Sequence, residues 1–197
     1  MNILKDFIPV GRANRPGKAN PTQYITIHNT GNSTKGASAK AHAKFLKSAN
    51  ALKAKVSWHY TVDDKEIYQH LPDNENAWHC GDGMGGGNSK SIGIEICQNA
   101  DGNLLKATDN AVELVVNLCR LHKIPIANVV QHSHWIIKNC PQLLRAGKPY
   151  DWNAFIAKVK CGLEAKPELI SVNDIVWELA FRGIISDKDL WLKKLTD

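Results

Sequence analysis

The segment Ser91-Ile92-Gly93-Ile94-Glu95-Ile96-Cys97 constrains the fold more than any other stretch of the chain. It is apolar almost throughout and rich in β-branched residues, with Glu95 as its one charge. A run of this kind reads as a central strand buried on both faces, which needs a covering layer on each side. The rest of the chain supplies candidates for those layers. Tyr24–His28 alternates like a strand and is stopped by Asn29-Thr30-Gly31-Asn32, which leaves His28 at a strand's C-terminal end. Val56–Val62 reads as another strand, turned by Asp63-Asp64-Lys65 into a hairpin partner at Glu66–His70. Val129–His132 reads as a short strand. Helices are expected over residues 37–50, over Thr108–His122 with its apolar set Val112, Val115, Val116 and Cys119, and over Asp151–Cys161. The fold class that follows is α/β, a mixed central sheet flanked by helices.

A break is expected at Glu164–Glu168, with Pro167 inside it. Beyond it, Ser171-Val172-Asn173-Asp174 and Ser186-Asp187-Lys188-Asp189 each look like a helix start. The division expected is a domain over 1–162, a linker over 163–170 and a small helical hairpin over 171–197. Charge divides the same way. Residues 163–197 hold five Lys/Arg against seven Asp/Glu, a net −2, whereas residues 1–162 hold twenty against twelve, a net +8. A basic body suits a polyanionic partner, whether nucleic acid, an anionic cell wall or a membrane surface. With 43% hydrophobic and 22% charged residues the chain has globular values, so disorder and coiled coil are poor readings. No stretch approaches the roughly 20 apolar residues of a membrane span, so no membrane insertion is expected. Met1–Arg12 lacks a signal-peptide core, so the expectation is synthesis in the cytoplasm without a signal peptide. Five scattered cysteines form neither a disulfide framework nor a CxxC pair. The loop Gly81–Gly87 holds five glycines but no Lys-Ser/Thr ending, which removes a phosphate-cradling loop from consideration.

Among eight histidines, context singles out Gln131-His132-Ser133-His134-Trp135-Ile136-Ile137-Lys138-Asn139-Cys140-Pro141. It gathers His, Lys and Cys where the chain leaves a strand, and Pro141 stops regular structure from running on. Imidazole and thiolate are zinc ligands, and a catalytic zinc takes three protein ligands and leaves one position open. His28, at the end of another strand, can supply the third. On spacing alone a plainer reading stands beside this one, with His28 and His132 as strand-end residues and Cys140 as packing. Cys97 and Cys119 read as core, and Cys80, beside a glycine loop, reads as a candidate for exposure. Trp58, Trp135 and Trp152 read as packing, and Trp78 as a groove wall.

Four blocks in order, Tyr24–Asn32 (YITIHNTGN), Val56–Asp64 (VSWHYTVDD), Asn76–Gly83 (NAWHCGDG) with Ser91–Cys97 (SIGIEIC), and Val130–Pro141 (VQHSHWIIKNCP), resemble the zinc-dependent N-acetylmuramoyl-L-alanine amidases of the amidase-2 family. These are related in fold to peptidoglycan-recognition proteins and are common as phage endolysins. The similarity covers roughly residues 1–162. It implies one catalytic Zn2+ on His28, His132 and Cys140, with the family spacing selecting His132 over His134. It implies Glu95 as general base and Lys138 as the cation facing the developing oxyanion. It implies an auxiliary, substrate-side role for His79 beside Trp78. The partner implied is bacterial peptidoglycan, with anionic wall polymers accounting for the basic body as well as nucleic acid does. No zinc-finger spacing or basic helix supports nucleic-acid binding. Action would be on the wall after release from the cell, and the 171–197 module would serve wall targeting or self-association. Two other functions compete. A non-catalytic binding module of the same fold would lack the metal cysteine. A cysteine peptidase is disfavoured because Pro141 denies Cys140 the following backbone N–H.

Overall fold

A computed structural model describes residues 3–165. Its elements are β1 (Ile3–Lys5), β2 (Tyr24–Asn29), α1 (Ala39–Leu46), α2 (Ala49–Ala54), β3 (Tyr60–Val62), β4 (Ile67–Gln69), α3 (Gly86–Ser89), β5 (Ser91–Ile96), α4 (Leu104–His122), β6 (Val129–Gln131), α5 (Gln142–Arg145) and α6 (Trp152–Glu164). The six strands form one sheet in the order β1-β4-β3-β5-β2-β6. Only β3 and β4 pair antiparallel, and every other neighbouring pair is parallel. The sheet is therefore mixed and flanked by helices, as expected, with β5 in its interior between β3 and β2.

The apolar run explains that position. Ile92, Ile94 and Ile96 of β5 and Ile25 and Ile27 of β2 are fully buried. Each such side chain contributes about 1.5–3 kcal/mol relative to exposure. Helix α4 packs on β3 and β5, with Ala111, Leu114 and Val115 fully buried. On β5 the intervening positions Ser91, Gly93 and Glu95 form the other face. Their register partners on β2 are Tyr24, Thr26 and His28. That face carries the chemistry.

Several elements differ from the expectations. The helix over 37–50 is two helices, because Ser48 caps a new one by accepting a hydrogen bond from the Ala51 N–H. The strand anticipated from Val56 begins only at Tyr60, because the Ser57 N–H bonds to the Trp78 carbonyl instead of joining the ladder. Strand β1 was not anticipated; three residues at the N-terminus pair in parallel with β4. Helix α6 runs on to Glu164, into the segment read as linker. The remaining linker and the helices expected over 171–197 lie outside the described residues.

Candidate active site

The C-terminal end of β2 places His28 in the sheet, and its register partner on β5 is Glu95. Strand β6 lies on the other side of β2, and the chain leaves it through a tight turn at His132–His134. That turn points His132 back at His28. The two Nδ1 atoms are 2.9 Å apart. Cys140 returns to the same spot, with its Sγ 3.7 Å from His28 Nδ1. The return is held by backbone bonds from the Cys140 N–H to the Lys138 carbonyl and from the Ser133 N–H to the Cys140 carbonyl. On the far side the Leu143 N–H bonds to Asn29 Oδ1. His28, His132 and Cys140 are all buried, and one donor atom from each lies within 4.8 Å of the others.

These donors fit a soft divalent cation. His132 Nε2 is 2.9 Å from the Cys80 carbonyl, which can only accept, so the proton sits there and Nδ1 is a bare lone pair. Burial holds the His28 imidazole well below its ordinary range, with His79, His132 and Lys138 acting in the same direction. Burial lowers His132 as well. Two neutral rings thus face each other nitrogen to nitrogen, beside a thiol, which is the donor set of a zinc site with an open position. Burial pushes the Cys140 thiol up to about 11, with Glu95 adding to the shift, while the Asn29 backbone and Lys138 favour the thiolate.

Glu95 is half-buried, and its Oε2 has no hydrogen-bond partner among the described residues. Desolvation pushes its carboxyl up to about 8, opposed by the charge of Lys138. An unpaired carboxylate in such surroundings is costly unless a site uses it. Glu95 lines a cavity of about 320 Å3 with His42, Phe45 and Trp58. Lys138 is exposed, and with Trp78, His79 and His132 it lines a cleft of about 480 Å3. His134, the alternative to His132, is exposed and packs against Trp135 and Tyr24, away from the cluster.

Other sequence expectations fare differently. Cys97 and Cys119 are buried, as expected of core. Cys80 is fully buried rather than exposed, because the glycine-rich loop folds over it. A Cβ on Gly87 would lie 2.6 Å from Cys80 Cβ, so only glycine allows that approach. The loop is also more ordered than its composition implies. The Asp82 carboxylate accepts from the Gly87 and Asn88 N–H groups, and Asn88 Oδ1 accepts from the His79 and Cys80 N–H groups. Trp135 packs, as expected, and donates from Nε1 to Thr26 Oγ1. Trp152 stacks on Phe155. The participation of the Cys80 carbonyl was not legible, since a backbone acceptor leaves no signature in residue type.

A family profile described as N-acetylmuramoyl-L-alanine amidase matches residues 18–143. The chain is 54% identical over 162 residues to the N-acetylmuramoyl-L-alanine amidase XlyA of Bacillus subtilis strain 168, covering 82% of this chain and 52% of that protein. It is 54% identical over 157 residues to the amidase CwlH of the same strain, covering 79% of this chain and 60% of that one. The chain thus spans between half and two thirds of the length of these curated relatives. Among solved structures, the catalytic domain of XlyA superposes with a TM-score of 0.75 at 54% identity, covering 81% of this chain and 99% of that domain.

Proposed function

Because the chain belongs to the N-acetylmuramoyl-L-alanine amidase family, we propose that it is a peptidoglycan hydrolase of the endolysin or autolysin kind, cleaving the amide between N-acetylmuramic acid and L-alanine. The observation that carries this reading is the convergence of His28, His132 and Cys140 beside an unpaired Glu95. In it, His28, His132 and Cys140 would hold one Zn2+. When bound, that ion supplies Lewis acidity, which lowers the pKa of water and polarises a carbonyl.

The chain's own residues do the rest. Glu95 takes a proton from the attacking water at a carboxylate oxygen. Its unpaired Oε2 and its place beside His28 in the sheet suit that task. The same carboxyl then delivers the proton to the leaving L-alanine nitrogen, which would otherwise depart as a poor anionic leaving group. Lys138 Nζ, on the rim of the cleft, faces the oxygen on which negative charge develops. Trp78 walls that cleft and orients the substrate. The basic body favours approach to an anionic wall.

Digestion of purified peptidoglycan tests the bond specificity. New L-alanine amino termini with intact glycan strands are expected. New reducing ends without new amino termini would overturn the reading. Bound zinc is expected at one ion per chain, lost in His28→Ala, His132→Ala and Cys140→Ser. A non-catalytic binding protein of this fold would leave the wall undigested, and a cysteine peptidase would respond to alkylation rather than to chelation. We assign residues 171–197 to wall targeting or self-association. A chain ending after Glu164 is then expected to cleave soluble muropeptide normally and to clear intact cells more slowly.

A further inference from the structure

The same short loop touches both candidate histidine ligands. The Cys80 carbonyl accepts from His132 Nε2 at 2.9 Å, and His79 Nδ1 lies 2.9 Å from His28 Nε2. We propose that the His79–Cys80 dipeptide is the orienting frame of the metal centre, with His79 Nδ1 accepting the His28 Nε2 proton so that His28 turns a bare Nδ1 toward the ion. His79 is thereby a positioning residue, not a ligand and not a contact of the substrate alone. The inference rests on the zinc reading above.

Geometry supports this assignment at each step. His79 is fixed from outside the site by its own N–H, which donates to Asn88 Oδ1 at 2.8 Å. The Cys80 N–H donates to the same oxygen at 2.8 Å, so one side chain sets the position of both acceptors. Asn88 is buried, donates from Nδ2 to the Gly83 carbonyl, and is anchored through its own N–H to Asp82. The ring is fixed from below as well. A Cβ on Gly93 of β5 would lie 2.7 Å from His79 Cγ and Nδ1, so the imidazole lies directly on the sheet. With the cation on His28 Nδ1, the His28 ring proton sits on Nε2, 2.9 Å from His79 Nδ1, so His79 Nδ1 is the acceptor and its own ring proton lies on Nε2. Each ligand imidazole gives its outer N–H to an acceptor and keeps its inner lone pair for the cation, as outer partners of metal-bound histidines do.

A second possibility uses the same atoms. His28 Nε2, His79 Nδ1 and Cys80 Sγ also lie within 4.8 Å of one another, and Cys80 Sγ is 3.1 Å from His79 Nδ1. They would make His79 a ligand of a second ion. That arrangement requires His28 to lose both ring protons and bridge two ions as an imidazolate, which favours the orienting role.

The test uses the full chain. Imidazole 15N spectra of the zinc-loaded protein should show His28 protonated at Nε2 and coordinated through Nδ1. Zinc affinity, measured by competition with a chromophoric chelator, should fall on the order of 10- to 100-fold in His79→Leu. His79→Asn should recover most of that loss, because its Oδ1 takes the place of Nδ1. Asn88→Ala, which keeps both acceptors but frees them, should weaken zinc in the same direction and serves if His79→Leu does not fold. Wild-type affinity in a folded His79→Leu overturns the inference, as does coordination of zinc through His28 Nε2. Two zinc ions per chain, falling to one in Cys80→Ser, overturns it in favour of a second site. Absence of stoichiometric zinc in the wild type instead removes the zinc reading itself, and the inference with it.

Discussion

His28 on β2 and Glu95 on β5 are register partners in adjacent parallel strands. The sheet itself therefore sets the distance between a candidate ligand and the candidate proton carrier, and neither depends on a loop for its backbone position. Rigid elements hold catalytic groups more exactly than loops do. The other two candidate ligands come from the turn and loop after β6, where the Leu143 N–H is tied to Asn29, at the end of the His28 strand.

Glu95→Gln separates chemistry from metal binding. The amide keeps the size of the side chain but cannot carry the proton. Turnover is expected to fall by about 10²-fold or more while zinc stays bound. Steady-state cleavage of a soluble muropeptide with metal analysis on the same sample checks this. Near-normal turnover would reassign Glu95 to structure.

Lys138→Ala asks a different question, because Lys138 is exposed and stands outside the proposed ligand set. Turnover should drop on the order of 10²-fold, the scale of losing one oxyanion partner. Metal affinity should change little. Loss of zinc in this variant would mean that Lys138 holds the loop rather than the transition state.

Much of this arrangement was readable from residue types. The run of isoleucines marked Ser91–Ile96 as an interior strand, and Glu95 stood out as the one charge in it. His28, His132 and Cys140 were only candidates on residue type and spacing, and the resemblance of their blocks to the amidase-2 family singled them out. What was hidden depends on the backbone. The Cys80 carbonyl, the Asn88 clamp and the parallel pairing of Ile3–Lys5 with β4 come from main-chain bonds between distant segments. Residue type says little about those. The break at Lys47 was hidden for a local reason, since Ser48 is as plausible inside a helix as at its cap until the Ala51 N–H is seen to bond to it.

The protein should lose stability in mild acid. His59 is fully buried, with Nε2 donating to the Glu75 carbonyl at 2.8 Å and Nδ1 accepting from the Gly93 N–H at 2.9 Å. A second proton would face the Gly93 N–H. His70 is also fully buried, and burial pushes it down to about 3. Unfolded imidazole titrates near 6.5, so below that pH the unfolded chain binds more protons than the folded one. Stability is complete above about pH 6.5 and declines as pH falls toward 3, by up to about 1.4 kcal/mol per pH unit for each such histidine. The Arg15–Glu75 pair adds a loss in the same direction at lower pH, because Arg15 holds the Glu75 carboxyl below its usual range. Denaturant unfolding between pH 7.5 and 4 measures the slope, and a flat profile would refute the neutral-histidine account.

Gly93→Ala tests how tightly sheet and site are joined. Gly93 lies in β5 between Ile92 and Ile94, so a strand conformation poses no difficulty for alanine. The obstacle is the His79 ring, 2.7 Å from where the methyl would sit. That ring cannot simply slide away, because the His79 N–H is bound to Asn88 and its Nδ1 lies against His28. Overpacking of this kind is expected to destabilise the fold by about 1–3 kcal/mol. It should also weaken zinc binding, since displacing His79 turns His28. Ile94→Val is the control, one residue further along β5 and on the opposite face. It should cost about 0.5–1.5 kcal/mol and leave zinc affinity unchanged. If the two variants lose stability but both bind zinc like the wild type, His79 moves without consequence for His28, and the coupling between the sheet and the metal centre is absent.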